Sequence, residues 1–132
     1  MVEQEFYYKT IGSQQYPIIP IMASRFDKTI AIDVLIDSGA DFCCFKSEVA
    51  TLLGIPIERG QQKKIATASD EIIAYLHEIE LQIFDKHITC KVAFSREFKF
   101  LENIAGRLNF FEAHEITFKE KEKKVQIKEN QN

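Results

Sequence analysis

The sequence holds no tryptophan, only five glycines and three prolines, and an odd number of cysteines, three. Beside 11 phenylalanines, so little glycine points to a core packed with aromatic and branched side chains and not to a flexible filament. Two of the cysteines, Cys43 and Cys44, are adjacent, so with Cys90 they suit no simple disulfide framework, and a reducing, cytoplasmic-type compartment is expected. No Cys-x-x-Cys and no His-Glu-x-x-His is present. Neighbouring residues of a strand point to opposite faces, so Cys43 and Cys44 cannot both enter one site with Cys90, His77 and His87. Buried or half-buried free thiols are expected, with no metal and no cofactor; His114 reads as a surface histidine. No apolar run approaches the roughly 20 residues that cross a bilayer, so no membrane partner is expected. The start, Met1-Val2-Glu3-Gln4-Glu5, is acidic and lacks the basic-then-apolar plan of a secretory signal. The net charge of -3 comes from interleaved acids and bases, which leaves no phosphate-binding face and excludes nucleic acid as an expected partner.

What is present is a globular balance, 45% hydrophobic and 28% charged over 132 residues. A chain of this length buries about two-thirds of its unfolded surface. With no internal repeat and no linker, residues 1–132 read as a single domain, with a frayed polar end at about 129–132. Strands are expected over Glu5–Ile11, over Tyr16–Ser24 with its start loosened to an edge by Pro17 and Pro20, and over Thr29–Ile36. Gly12 to Gln15 and Arg25 to Lys28 read as connections. Ser47 to Gly54 has the plan of a short helix, with Ser47 as N-cap and Gly54 as terminator. Further strands are expected over Lys63–Thr67, Glu71–Phe84 and His87–Phe94. Arg107–Glu112 reads as one or two helical turns, and Glu115–Phe118 with Lys124–Lys128 as a hairpin.

The stretch from Ile32 to Phe42 organises this plan. An apolar, β-branched strand stops abruptly at Asp37-Ser38-Gly39-Ala40, which sets a carboxylate on a tight loop above a rigid scaffold. A carboxylate at the end of a buried strand must be paired or solvated. Far along the chain, Ile104-Ala105-Gly106-Arg107 precedes the segment Leu108-Asn109-Phe110-Phe111.

These two motifs, in this order and with the intervening helix and hairpin, resemble the single-lobed retropepsin-like aspartic peptidases. The resemblance covers roughly Tyr16 to Ile127. It implies a mostly β fold, a retropepsin-like closed β-barrel of the acid-protease kind with one lobe per chain and one or two short helices. It implies that Asp37 is catalytic, that Ser38, Gly39 and Ala40 support its loop, that Gly106 packs beneath the loop, and that Arg107 pairs with Asp41. Thr67, Ala68, Ser69 and Asp70 would be the tip of a flap closing over an extended polypeptide substrate. Hydrolysis by this route needs two facing carboxylates, yet none of Asp27, Asp33, Asp41, Asp70 and Asp85 is followed by Ser-Gly or Thr-Gly. The implied enzyme is therefore a homodimer with one Asp37 from each chain. No glycine lies between Gly60 and Gly106, where the family's flaps are usually glycine-rich. The alternative reading is a catalytically inactive dimerisation or peptide-binding module on the same fold.

Overall fold

Side chains that alternate between interior and solvent every second residue set the architecture. Ile19, Ile21 and Ala23 on one strand, and Ile32, Val34 and Ile36 on the next, turn inward, and the residues between them are less buried. Branched residues at that spacing favour a pleated, half-buried strand. The computed structural model describes residues 3–130. In chain order its elements are β1 (Glu3–Tyr7), β2 (Lys9–Ile11), β3 (Gln14–Tyr16), β4 (Ile18–Arg25), β5 (Lys28–Ile36), β6 (Cys43–Lys46), α1 (Ser47–Leu53), β7 (Gln61–Ala66), β8 (Glu71–Ile83), β9 (Lys86–Ser95), β10 (Asn103–Ala105), β11 (His114–Lys119) and β12 (Lys124–Glu129). Short 3-10 turns lie at Ile57–Arg59, Phe111–Ala113 and Glu120–Glu122.

Six strands close on themselves. They pair in the order β4, β5, β10, β6, β9, β8, and β8 returns to β4 through Met22–Gln82, Ala23–Leu81 and Ser24–Glu80. Closure leaves no open sheet edge within the ring. β8 reaches β4 only from Met22 onward, so Pro20 sits in the half of β4 that pairs with β5 alone. β7 pairs only with β8 and stands outside the ring as the other arm of a hairpin. β1, β12 and β11 form a separate antiparallel sheet. The architecture is mostly β, a closed barrel with one α-helix, as expected.

The interior is mainly branched aliphatic, with Phe45, Phe94 and Phe110 as its fully buried rings. Phe26 and Phe118 are exposed, so the many phenylalanines fill the core less than their number suggests. A second, smaller cluster of Cys44, Ala74, Ala93 and Ile104 lies apart, with Phe42, Ile65, Leu76 and Phe98 packed onto it. Cys43 faces the main core and Cys44 the second cluster, as the alternation of strand side chains requires.

Several local expectations are corrected. The first predicted strand is two strands, because Tyr8 turns inward between β1 and β2 and donates its hydroxyl to Glu120 Oε1 at 2.9 Å. Burial and that bond push the Tyr8 hydroxyl up to about 12. Gln14 and Gln15, expected in a loop, belong to β3, which pairs with β2 around Gly12 at φ 64°. Ser47 is the first helical residue and not the cap; Lys46 occupies that position without a side-chain bond, and the Ser47 hydroxyl donates to Glu48. Gly54, at φ 70°, does close the helix. Arg107–Glu112, expected as one or two helical turns, forms turns that run into the 3-10 segment Phe111–Ala113, with Asn109 at a left-handed φ of 68°. His114 is buried, not on the surface. Of the tail expected to fray, Glu129 ends β12 and Asn130 donates to the carbonyls of Ala113 and Glu112. Gln131 and Asn132, like Met1 and Val2, lie outside the described residues.

Candidate active site

β5 is pinned on both sides where it ends. The Ile36 N–H donates to Pro17 O at 2.9 Å and the Asp37 N–H to Ala105 O at 3.1 Å. The chain then turns on itself: the Ala40 N–H donates to Asp37 O at 3.2 Å, and the Gly39 N–H donates to Asp37 Oδ1 at 2.9 Å. An aspartate that closes its own turn in this way holds its carboxylate in one orientation. Asp37 is half-buried, while Ser38 and Gly39 are exposed above it. A Cβ on Gly39 would stand 3.3 Å from Asp37 Oδ1, crowding the carboxylate.

Beneath the loop the packing tolerates no side chain. A Cβ on Gly106 would lie 2.3 Å from Phe42 O and 2.8 Å from Ala40 O, both backbone atoms. That close approach lets the Arg107 N–H donate to Ala40 O at 2.8 Å and the Leu108 N–H to Asp41 O at 2.9 Å. The Gly106 N–H points to Cys43 Sγ at 3.4 Å. Arg107 Nη1 lies 3.9 Å from Asp41 Oδ1, with side chains 64% and 82% exposed. An ion pair so exposed contributes little. The two backbone bonds, and not the charges, fasten the loop to the segment that follows β10.

Asp37 opens into a cleft of about 520 Å³ between this loop and the β7–β8 hairpin. Gly39, Phe42, Ile65, Thr67 and Phe100 wall it, and Cys44 and Ile104 of the second core cluster line its floor. The hairpin tip is closed by its own polar side chains. The Thr67 N–H and hydroxyl both donate to Asp70 O, at 2.7 and 2.9 Å, and the Asp70 N–H donates back to Thr67 Oγ1 at 3.1 Å. The Glu71 N–H donates to Asp70 Oδ1 at 2.7 Å. None of Thr67, Ala68, Ser69 and Asp70 takes a left-handed φ, which is why this tip manages without glycine.

Two features of the cleft were not legible as site residues. Past Tyr75, β8 leaves β9, and side chains take over its support: the Ser95 hydroxyl donates to Ile73 O at 2.6 Å, and Glu97 Oε2 accepts the Ile73 N–H at 2.8 Å. The loop that supplies Glu97 also brings Phe100 to the cleft wall, with its ring against Phe98 at 4.3 Å between centroids. The apolar Phe98, Phe100 and Leu101 in a stretch without strand alternation were the available hint.

Of the other candidate groups, Cys44 lies in the floor of the cleft, and the rest take no part in it. Cys43 and Cys90 face each other in the core, with Sγ atoms 3.6 Å apart. The hydrogen bond to Cys43 and burial raise the Cys90 thiol well above its ordinary range. Burial, with the nearby charges of Cys43 and Asp37, pushes Cys44 up to about 12. His77 Nε2 bonds Ile57 O, and His87 pairs with Glu80. Among the described residues, no three His, Cys, Asp or Glu side chains gather as a metal site would require.

No family model matches the sequence, and no curated protein matches it. Solved structures do. A retropepsin-like aspartic protease from Rickettsia conorii superposes with a TM-score of 0.71 at 14% identity, over 96% of this chain and 91% of that one. The EIAV protease complexed with the inhibitor HBY-793 superposes with a TM-score of 0.56 at 16% identity, over 75% of this chain and 88% of that one. The chain has the retropepsin-like fold. At such low identity the likeness is one of architecture, and within this retropepsin-like barrel the loop at the end of β5 carries the chain's one Asp-Ser-Gly.

Proposed function

We propose that the chain is one half of an aspartic endopeptidase, completed when a second copy brings its own Asp37 across a two-fold axis. The observation that carries this reading is the Asp37 carboxylate itself, held in one orientation by its own loop at the mouth of a hairpin-roofed cleft. Two such carboxylates at close range cannot both ionise, so they share one proton and titrate as a unit, a behaviour well known from aspartic proteases. The ionised member takes a proton from water as the oxygen attacks the peptide carbonyl, and the protonated member supports the developing charge on the carbonyl oxygen. Substrate is an extended polypeptide segment laid between loop and hairpin as an added strand. Ser38, exposed at the loop's crest, is placed to meet the partner copy, and Gly39 leaves room for substrate backbone. The Thr67–Asp70 tip closes over the peptide and excludes water. The three free, buried cysteines fit a reducing, cytoplasmic-type setting.

The test is to titrate the wild-type protein with an Asp37→Asn variant at fixed total concentration while following cleavage of a mixed peptide pool. A dyad shared between copies makes activity fall as the square of the wild-type fraction. A linear fall, or Asp37-dependent cleavage by a monomer, overturns the shared site. Peptides bound but never cleaved would leave a peptide-binding module.

A further inference from the structure

The wall of the cleft supplied by β7 is cationic as well as apolar. Lys63 and Ile65 fall on the same face of the strand, because strand side chains alternate. Ile65 packs with Phe42 onto the cluster below the cleft, and Lys63 Nζ stands over the Phe42 ring at 5.2 Å from its centroid. The negative face of the ring holds the ammonium there, one residue along the chain from Asp41 and close to the Asp37 loop. The acids of the loop have other contacts in this chain: Asp37 Oδ1 accepts the Gly39 N–H, and Asp41 lies 3.9 Å from Arg107. Among the described residues neither Lys63 nor Lys64, which also lines the cleft, forms an ion pair, and of the two only Lys63 stands over the Phe42 ring.

We infer that the peptide taken by this cleft carries an acidic side chain, received by Lys63; this rests on the peptide-binding part of the reading above. A charge-assisted hydrogen bond between a carboxylate and an ammonium on an apolar wall is stronger than one in open water. A basic side chain at the same place meets a like charge, so the site selects by repulsion as well as attraction. Lys63 lies four residues from Thr67 at the hairpin tip, about 13 Å along an extended strand. Two copies of the chain place one such lysine on each side of the axis.

The experiment uses the full chain and a set of fluorescent peptides sharing one apolar sequence, with Glu, Gln or Lys scanned through every position. Binding is read by anisotropy on the Asp37→Asn variant, and cleavage is read separately on the wild type. At one or two positions Glu peptides bind about 10-fold more tightly than their Gln counterparts, with Lys weakest. Added salt narrows the difference. Lys63→Gln removes the preference and Lys63→Glu reverses it, whereas Lys121→Glu on an exposed turn leaves the order intact. Lys63→Gln retains the strand's polarity, so a folding defect in the charge reversal does not decide the outcome. Equal binding of the three peptide sets, no binding at all, or a Glu preference that survives Lys63→Gln overturns the inference. Binding that favours Glu without any cleavage supports the inference while overturning the peptidase.

Discussion

Single residues decide whether the loop can exist. Gly106 is fixed by contact with the backbone at Phe42 and Ala40, where nothing can swing aside. Gly106→Ala is expected to cost about 3 kcal/mol, at the upper end for one extra methyl in a filled space, and to lose the Arg107 to Ala40 bond; urea denaturation and the loop's amide exchange read both. His114, away from the loop, is a buried titratable group. Its Nδ1–H donates to Phe110 O at 2.8 Å, and its Nε2 is buried without a partner among the described residues. Burial lowers its pKa below the ordinary 6.5, with nearby Lys86 acting in the same direction and the Phe110 bond and Glu129 opposing. A group whose folded pKa is depressed binds protons more readily when unfolded. Its stabilisation is therefore complete above about 6.5 and is lost as pH falls through the lower, folded value. Stability measured by urea midpoints should decline over that window, and His114→Leu should flatten the decline even though it lowers stability throughout. An unchanged slope in the variant assigns the acid sensitivity elsewhere.

At the scale of elements, the β7–β8 hairpin is tied down where it leaves the barrel. Ser95 is buried, and its hydroxyl bonds Ile73 O while accepting the Glu97 N–H at 3.1 Å. Removing it leaves a carbonyl short of a partner at the hairpin's root. Ser95→Ala should cost about 1–2 kcal/mol. Glu97→Ala should cost less globally but speed exchange of the Ile73 amide, because that carboxylate is its acceptor. If the hairpin acts as a lid, Glu97→Ala raises KM more than it lowers kcat. Equal exchange at Ile73 in both proteins would mean the hairpin is held by β-ladder bonds alone.

For the whole molecule, the closed ring accounts for the fold's economy: six strands bury the core with one short helix at its side. The chain carries one Asp-Ser-Gly loop, so the proposed chemistry is a property of two molecules. Specific activity should therefore rise with protein concentration until the dimer saturates, and sedimentation velocity should show mass and activity rising together. Activity per chain that is independent of dilution down to a sedimenting monomer would contradict the shared dyad.

Much of this was written in the one-dimensional pattern. The apolar run into Asp37 and the strands that alternate are local regularities, and local physics reads them as period-two alternation and a turn after a β-branched strand; the close backbone packing of Gly106 was implied only by the resemblance, because its neighbours at Ala40 and Phe42 lie more than sixty residues away. The left-handed φ of Asn109, within the turns that follow Gly106, was not legible, because several residue types accept that conformation only when packing imposes it. Nor was the burial of His114, which depends on Phe110 and the β11–β12 pairing. Thr67 and Asp70 replace the missing glycines only through bonds visible once both arms of the hairpin are placed. Lys63 over Phe42, and Ser95 and Glu97 on Ile73, join residues more than twenty apart in sequence. Composition and spacing set the strands and the carboxylate loop, because those depend on near neighbours. Only the closed barrel decided what surrounds that carboxylate, because the walls of the cleft come from strands that meet in space alone.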